Sequence, residues 1–317
     1  MQVDDRPVVS ICIPTHNDST VVQDALRSAL LQTYTPLEIV IVDNHSADET
    51  WRIVTAMAER DSRVRCVRNV EDIGMARNFS ACIRAAHGDY VLILCSDDVL
   101  RDGCVALLAA ALDGYPDAVL AACGRTRTDQ SLRPERVLRA RLEKEEVRAA
   151  DLLRECFIHG NRIGEPSAVM FRRLSAHRGF NADYSQALDL EMWFHLLGQG
   201  TAVLLPESLC YIRQHADQIT RANILSGRIV ADKRLLFRQY ARTVEPSLAL
   251  WEKLIWDARM ASSAARVSAA GGVVDVAEIA EIFCRIPFLY LFLPLARIAW
   301  RVRSLFTVFV YSRKNAN

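Results

Sequence analysis

Two adjacent carboxylates follow an apolar run in the first third of the chain. The apolar run covers residues 90–95, and Ser96 separates it from Asp97 and Asp98. Like charges this close repel each other, so a divalent cation that prefers oxygen ligands is a natural occupant. Such an ion can neutralise a departing diphosphate. The alternative is a turn in which Asp98 or Asp102 caps the next helix.

Two further aspartates and a histidine stand where they can take part in binding or catalysis. Asp189 lies at the start of a helical pattern over 190–197, where the helix dipole and free amides favour an ionised carboxylate. There it can remove a proton from a hydroxyl; otherwise it is a plain helix cap. Asp43 ends an apolar run, where it can accept the imide N–H of a pyrimidine; otherwise it is a solvated strand end. His16 can lie flat against a base, although such a histidine is more often a surface or core group.

These residues are separated by short apolar runs that alternate with helical patterns over the first 125 residues. Strands are predicted at 8–13, 37–42, 64–67 and 90–95. This alternation predicts a parallel α/β sheet, in which ligands bind beyond the carboxyl ends of the strands. Polar segments follow three of the strands, so the site is expected at one edge of the sheet. Those segments are 14–17, 43–46 and 96–98.

The later part of the chain has a weaker pattern. Residues 134–156 predict a charged, solvated helix, and 203–205 and 209–212 predict two short strands. From about residue 217 onward the pattern is helical. Earlier in the chain, residues 46–49 have the sequence of a capping box and predict that a helix starts there.

Composition limits the class of protein. The 317 residues are 51% hydrophobic and 24% charged, which is typical of a globular chain of one large domain or two. With 39 basic and 38 acidic residues, the net charge of +1 gives no electrostatic case for a nucleic-acid partner. The nine cysteines show no C-x-x-C spacing, so a reducing cytoplasm is expected rather than disulfides or zinc. No secretory signal is expected at the N-terminus.

The C-terminal tail is basic and apolar. No acidic residue follows Glu281, whereas six basic residues do: Arg285, Arg297, Arg301, Arg303, Arg313 and Lys314. The apolar run among them is too short to span a bilayer comfortably. We therefore predict that a segment over about 282–313 lies on an anionic membrane, which places the protein at the inner face of the cell membrane. The alternative is a terminal helix packed on the core or on a partner subunit. The sequence leaves the oligomeric state undecided.

In their order and spacing, the motifs resemble those of the family 2 glycosyltransferases. The resemblance covers about residues 8 to 220. Its segments are 9–17, 38–50, 74–78, 88–98, 189–193 and 211–215. It implies a GT-A fold, which is a Rossmann-like, mixed, mostly parallel sheet flanked by helices, here with a helical C-terminal extension. The expected domain covers 1–216, with about 1–125 binding the nucleotide and about 126–216 the acceptor, and 217–317 forms the helical C-terminal region.

The resemblance also implies a reaction. A hexosyltransferase of this kind moves a sugar, with inversion, from a nucleotide diphosphate donor to a hydroxyl of a glycan or lipid-linked saccharide, as in the synthesis of cell-envelope polysaccharides. The expected cofactor is Mg²⁺ or Mn²⁺. A UDP-sugar is the preferred donor, with thymine and guanine donors left open. The sequence does not identify the sugar or the linkage.

The matching positions carry implied roles. Asp189 is the general base, Glu191 supports it or the acceptor, and Glu165 lies in the loop on the acceptor side. Asp98, Asp97 and His215 surround the metal, and which of the two aspartates binds it stays open. The donor-binding positions are Pro14, Thr15, His16, Asn17, Asp43, Arg77 and Asp97.

One position departs from the family pattern. Cys95 stands where many relatives have aspartate, and a thiol is a poor ligand for Mg²⁺. This departure is the sole support for an alternative function, a non-catalytic nucleotide-sugar-binding or scaffold protein of the same fold. A nucleotidyltransferase or a nicotinamide oxidoreductase is disfavoured, because no glycine-rich phosphate loop follows a strand.

Overall fold

The computed structural model describes residues 6–139, 146–214, 226–244 and 247–269. Ten strands and eight α-helices lie within these ranges. The strands are β1 (Val9–Thr15), β2 (Leu37–Asp43), β3 (Val64–Arg68), β4 (Tyr90–Ile93), β5 (Val99–Leu100), β6 (Ala118–Thr128), β7 (Pro134–Leu138), β8 (Glu146–Val147), β9 (Val169–Arg172) and β10 (Thr201–Arg213). The helices are α1 (Val22–Leu30), α2 (Thr50–Ala58), α3 (Met75–Ala85), α4 (Cys104–Gly114), α5 (Ala149–His159), α6 (Leu188–Leu197), α7 (Arg228–Tyr240) and α8 (Leu250–Ala269).

The strands form one mixed sheet in the order β3-β2-β1-β4-β9-β6-β10-β5. The first four strands in this order are parallel, and β9 runs antiparallel between β4 and β6. β6 and β10 are parallel to each other, while β7 and β8 pair antiparallel at their margins. The predicted mixed, mostly parallel sheet flanked by helices is confirmed. Thr15 lies opposite Asp43 in the β1–β2 register, so the polar ends of these strands meet at one edge.

Both faces of the sheet are covered. Along β1, Ile11 and Ile13 pack on one face and Cys12 packs on the other, and all three are fully buried. Helices α1, α2 and α4 contribute to the first face, and α3, α5, α6, α7 and α8 contribute to the second. β4 is a continuous apolar run because a strand between two helical layers has no solvent face.

An aromatic cluster joins the C-terminal helices to the second face. Phe157 of α5 packs edge to face on Phe194 of α6, Phe237 of α7 and Trp256 of α8, with ring centroids 5.3 to 5.4 Å apart. Edge-to-face pairs of this kind add to the free energy gained by burial. The described helices beyond residue 226 therefore share the core of the sheet domain.

Three local predictions are wrong. Residues 134–138 form β7 instead of a helix, because pairing with β6 satisfies their backbone, and the helix covers only Ala149–His159. The segments 203–205 and 209–212 belong to the single strand β10, whose register shifts between Leu204 and Ser208. The capping box does not form, because the Ser46 hydroxyl is bonded to Asp43, while Asp48 accepts the amide of Thr50, the first residue of α2, at 3.0 Å.

The C-terminal tail lies past the last described residue, 269. The predicted membrane segment at about 282–313 lies outside the described residues, and so does His215. Among the helices of the described ranges, none combines the length and the hydropathy needed to cross a bilayer.

Candidate functional site

The loop after β4 brings together Cys95, Asp97 and Asp98, which we call the metal loop. Their Sγ atom and carboxylate oxygens lie within 4.8 Å of one another, and no other such group occurs among the described side chains. Carboxylate oxygens suit Mg²⁺ and Mn²⁺, whereas a thiol is soft. The donor set therefore fits a hard divalent ion held by the two aspartates, without Cys95.

Asp98 is anchored from two sides. Its Oδ2 accepts a hydrogen bond from the Ser167 hydroxyl at 2.5 Å, and its Oδ1 accepts one from the Arg213 amide at 3.1 Å. Burial and the adjacent charge of Asp97 raise the pKa of Asp98 well above its ordinary value. A cation bound beside the pair would favour the ionised form of Asp98 and offset its repulsion from Asp97. The pair therefore has the electrostatics of a cation site.

Arg213 fastens the metal loop to the rest of the sheet edge. It is buried, and its guanidinium donates to the carbonyl oxygens of Asp97 at 2.9 Å and of Gln130 at 3.0 Å. It also pairs with the Asp24 carboxylate of α1 at 2.8 Å. The end of β10 thus fixes the backbone that presents Asp97 and Asp98.

Asp43 is fully buried at the end of β2. Its Oδ1 accepts hydrogen bonds from the hydroxyls of Thr15, at 3.3 Å, and Ser46. Its Oδ2 accepts the Ser46 amide at 3.2 Å and lies 3.1 Å from Nε of Arg68. The carboxylate therefore shapes the loop after β2, and its contact with a base stays a prediction.

The segment after β1 joins the loop after β2. The Nδ1 atom of His16 lies 2.8 Å from the Asn44 carbonyl, and its Nε2 atom lies 3.9 Å from the Asp72 carboxylate. Asn17 has a φ of 58°, a left-handed conformation that asparagine tolerates, and its Oδ1 accepts the Ala47 amide at 2.8 Å. These contacts form one rim, which we call the nucleotide rim (residues 16–18, 43–47 and 72).

Asp18 connects the nucleotide rim to the metal loop. Its Oδ2 accepts hydrogen bonds from the Ser96 hydroxyl at 2.6 Å and from the His16 amide at 2.8 Å. Burial raises the pKa of Asp18, and the charge of Asp97 acts in the same direction. The predicted nucleotide and metal positions therefore belong to one continuous region.

Asp189 lies in the first turn of α6 and is half-buried. Its Oδ1 accepts the Leu190 amide at 2.8 Å, and its Oδ2 is 3.2 Å from Nδ2 of Asn161. Burial raises the pKa of Asp189 to about 7, and the charge of Glu165 contributes in the same direction. A carboxyl group with this pKa changes its protonation near neutral pH, as a general base working there requires.

Glu165 lies in the loop before β9, between the metal loop and α6. It forms ion pairs with Arg125 and with Arg127, whose Nη2 is 3.7 Å away. Its charge raises the pKa of both Asp98 and Asp189. Glu165 is therefore close enough to both groups to couple them electrostatically.

The same loop is bonded to both neighbours. Ser167 donates to Asp98, as described above, and the Gly164 carbonyl accepts a hydrogen bond from Nε1 of Trp193 in α6 at 2.9 Å. Residues 164–167 thus connect the proposed metal ligands with the helix that carries Asp189.

Glu191 has a different environment from Asp189. It is fully buried and accepts two hydrogen bonds from the Arg178 guanidinium, at 2.8 and 2.7 Å. The Tyr240 hydroxyl donates to the same carboxylate at 2.7 Å. These partners anchor α6, and a role for Glu191 towards the base or the acceptor stays a prediction.

The remaining predicted positions are placed more simply. Pro14 and Thr15 are the last, buried residues of β1, and Arg77 is exposed in the first turn of α3. Four residues with partners distant in the chain were not predicted as site residues: Asp18, Arg68, Arg125 and Asn161. Their neighbours in sequence do not reveal these partners.

Sequence comparison finds related proteins over most of the chain. A family model described as "Glycosyl transferase family 2" matches residues 10–178, more than half of the chain. The uncharacterized protein MT1568 of Mycobacterium tuberculosis (strain CDC 1551 / Oshkosh) is 28% identical over 267 residues, which are 79% of this chain and 83% of that protein. The Escherichia coli enzyme WfaP, named as a UDP-Glc:alpha-D-GlcNAc-diphosphoundecaprenol beta-1,3-glucosyltransferase, is 37% identical over 91 residues, 29% of this chain and 36% of WfaP.

Two solved structures share the architecture. The S. aureus protein TarS, residues 1–349 in complex with UDP-GlcNAc, aligns with a TM-score of 0.56 at 16% identity, covering 83% of each chain. The mannosyltransferase PcManGT of Pyrobaculum calidifontis, in complex with GDP-Man and Mn²⁺, aligns with a TM-score of 0.56 at 19% identity, covering 97% of this chain and 85% of that one. At these identities the likeness bears on the fold alone.

Proposed function

The chain belongs to glycosyl transferase family 2, and from this premise we propose that it transfers a sugar, with inversion, from a UDP-sugar to a hydroxyl of a glycan or lipid-linked saccharide. The protein is a glycosyltransferase of GT-A fold. One observation carries the finer proposal. The loop at 164–167 links two aspartates suited to a cation with α6, the helix that carries a carboxyl group with a pKa of about 7.

On the donor side, Asp97 and Asp98 would hold Mg²⁺ or Mn²⁺. When bound, the ion supplies positive charge that neutralises the diphosphate leaving group. The side chains of the nucleotide rim orient the nucleotide, and Asp43 keeps that rim in shape through Ser46 and Arg68. Asp18 connects the rim to the metal loop by accepting a hydrogen bond from the Ser96 hydroxyl.

On the acceptor side, Asp189 takes the proton of the attacking hydroxyl. The acceptor oxygen forms a bond to the anomeric carbon, and the bond from that carbon to the diphosphate oxygen breaks with its electron pair. The proton moves to an oxygen of Asp189. Attack on the face opposite the leaving group inverts the configuration at the anomeric carbon.

Uracil is the proposed base of the donor. The name of WfaP, which is 37% identical over 91 residues, includes UDP-Glc and supports a uracil nucleotide, while TarS and PcManGT were crystallised with UDP-GlcNAc and GDP-Man respectively. A carboxylate at the end of β2 suits the imide N–H of uracil. Both oxygens of Asp43, however, already have partners within the protein, and we therefore propose that the base binds next to Asp43 on the nucleotide rim.

The proposed acceptor is a saccharide linked to a lipid diphosphate at the cytoplasmic face of the membrane. The name of the relative WfaP includes an acceptor of this type, a saccharide on diphosphoundecaprenol. The basic and apolar sequence over about 282–313 suits contact with an anionic membrane surface. Both observations support an acceptor held at the membrane.

A two-stage screen tests the proposal. Full-length protein is heated with UDP, GDP or dTDP, with and without Mn²⁺, and we expect UDP with Mn²⁺ to stabilise it by about 2.7 kcal/mol at a ligand concentration of 100 Kd. UDP-sugars are then offered with a polyprenyl-diphosphate saccharide in vesicles or with the free saccharide. Metal-dependent transfer, greater with the lipid-linked acceptor, is expected. Binding without any transfer or hydrolysis would instead support the non-catalytic alternative.

Replacing Glu165 with Gln should change the pH dependence of transfer. Asp189 acts as a base only when ionised, so turnover of the wild type should rise as pH increases through about 7. The charge of Glu165 raises this pKa, and its loss leaves Arg125 unneutralised near Asp189. The pKa of Asp189 should fall, and the acid limb of the kcat–pH profile should therefore shift to lower pH by about 1 pH unit.

Glu135→Gln is the matched control, because Glu135 is an exposed residue of β7. Its profile should coincide with that of the wild type. An unchanged or upward-shifted limb in Glu165→Gln would contradict the assignment of Asp189 as the titrating base.

A further inference from the structure

The turn before α6 is bound by a carboxylate from α7. Asp232 is buried, and its Oδ2 accepts hydrogen bonds from three consecutive amides, those of Ser185 at 2.8 Å, Gln186 at 2.5 Å and Ala187 at 2.9 Å. Consecutive amides that converge on one point form a concave site for an anion. Hydrogen bonds to a charged acceptor are stronger than those between neutral groups. Asp232 therefore fixes the backbone that enters α6.

A second connection from α7 holds α6 one turn further along. The Tyr240 hydroxyl donates to Glu191, which also binds Arg178. Asp189 thus lies between two residues that α7 holds, Ala187 through its amide and Glu191 through its carboxylate. The described hydrogen bonds of the Asp189 carboxylate come from the Leu190 amide and from Nδ2 of Asn161, and neither donor is charged. Because one oxygen is bonded to an amide of this first helical turn, the orientation of the carboxylate depends on where the turn lies.

We propose that Asp232 is a positioning residue for Asp189 and that α7 is therefore part of the machinery of transfer. The inference rests on the proposed function, in which Asp189 is the base. Positioning matters at this site, because a displacement of about 1 Å from the productive geometry can cost on the order of 100-fold in rate. α7 lies beyond residue 178, where the family match ends.

Asp232→Asn and Asp183→Asn form a matched pair of full-length variants. The first removes the charge and keeps one oxygen that can accept an amide. The second removes an exposed charge just before the same turn, without loss of a bond to α6. We expect kcat to fall by about 10- to 100-fold in Asp232→Asn. In both variants the Kd of UDP with Mn²⁺ should stay within about twofold of the wild-type value, and Asp183→Asn should keep the wild-type kcat.

Hydrogen exchange gives a readout that does not need activity. Amides 185–190 should exchange at least about tenfold faster in Asp232→Asn, while those of β1 and β2 are unchanged. A variant that merely loses folded protein would lower UDP-binding capacity and kcat together, which differs from the expected result. If Asp232→Asn does not fold, Asp232→Glu keeps the charge but displaces it, and a reduced kcat with wild-type UDP affinity is expected.

Two failures can be told apart. A wild-type kcat or wild-type exchange in the folded Asp232 variant would overturn the positioning role alone, with the assignment of Asp189 unaffected. Absence of transfer by the wild type with every donor would overturn the proposed function and, with it, the role given to Asp232.

Discussion

Replacing Asp189 with Asn should reduce sugar transfer by about 10²- to 10⁴-fold, the range that a positioned general base contributes. The amide has nearly the same shape as the carboxylate and can keep the contact with the Leu190 amide, but it cannot accept the proton of the acceptor hydroxyl. Donor binding should change little, because the role proposed for Asp189 is on the acceptor side. Initial rates with the best donor, and the Kd of UDP with Mn²⁺, measure the two effects separately.

The same substitution should stabilise the fold above neutral pH. Burial holds the pKa of Asp189 at about 7, above its ordinary value of 3.8. The folded state therefore favours the protonated form of Asp189. The resulting contribution of Asp189 to the free energy of unfolding is fully present below pH 3.8 and is lost as the pH rises through 7. At pH 8 the Asn variant should be more stable than the wild type by about 2–4 kcal/mol. Denaturant unfolding at pH 4 and pH 8 tests this, since the difference should be small at pH 4.

A rate loss together with a gain in stability distinguishes a catalytic carboxylate from a structural one. A plain helix-starting residue would lose stability on substitution and leave kcat nearly unchanged. Near-normal transfer by Asp189→Asn would rule out its role as the base, whatever the effect on folding.

Replacing Asp98 with Ala should abolish metal-dependent binding of the nucleotide. A ligand at 100 Kd stabilises a protein by about 2.7 kcal/mol, and we expect this stabilisation by UDP with Mn²⁺ to disappear. Asp98 also accepts hydrogen bonds from Ser167 and from the Arg213 amide. The melting temperature without ligands must therefore be compared first, so that the loss of a ligand site is separated from a loss of folding.

Cys95→Ala is the matched control for Asp98→Ala. The thiol lies within the same 4.8 Å group as the two carboxylates but is a poor ligand for Mg²⁺ and Mn²⁺. We expect the Cys95 variant to keep UDP affinity and transfer within about twofold of the wild type. Equal losses in both variants would show that the thiol belongs to the ligand set, contrary to the donor chemistry argued above. Retention of Mn²⁺-dependent binding by Asp98→Ala would remove Asp98 from the metal site.

The sheet could be predicted well from the sequence because its signals are local. The buried strands β1, β2 and β4 are mostly apolar, and the polar residues at their ends and after them mark the edge at which Thr15 and Asp43 meet. Their joint placement follows from the rule that ligands bind at the carboxyl ends of parallel strands. The fold class, and the meeting of these polar strand ends at one edge of the sheet, were therefore accessible without coordinates.

Other features depend on contacts between distant residues and could not be read from local patterns. Ser46 fits a capping box, but Asp43 competes for its hydroxyl. Asp18 is joined to Ser96, and Asp232 to the turn at 185–187, across 78 and about 45 residues of chain. Such pairings require the register of the sheet and the packing of α7. The charged segment at 134–138 became a strand for the same reason, since β6 offered it a pairing edge.

The aromatic contacts of Phe157 have a practical consequence for anyone who shortens this polypeptide. A protein ending at the predicted boundary, residue 216, would lose Phe237 and Trp256, whose rings cover Phe157. Uncovered rings form an apolar patch of the kind that drives self-association. A recombinant fragment intended for crystallisation is therefore better ended no earlier than residue 269, even though the recognisable family motifs finish some fifty positions before it.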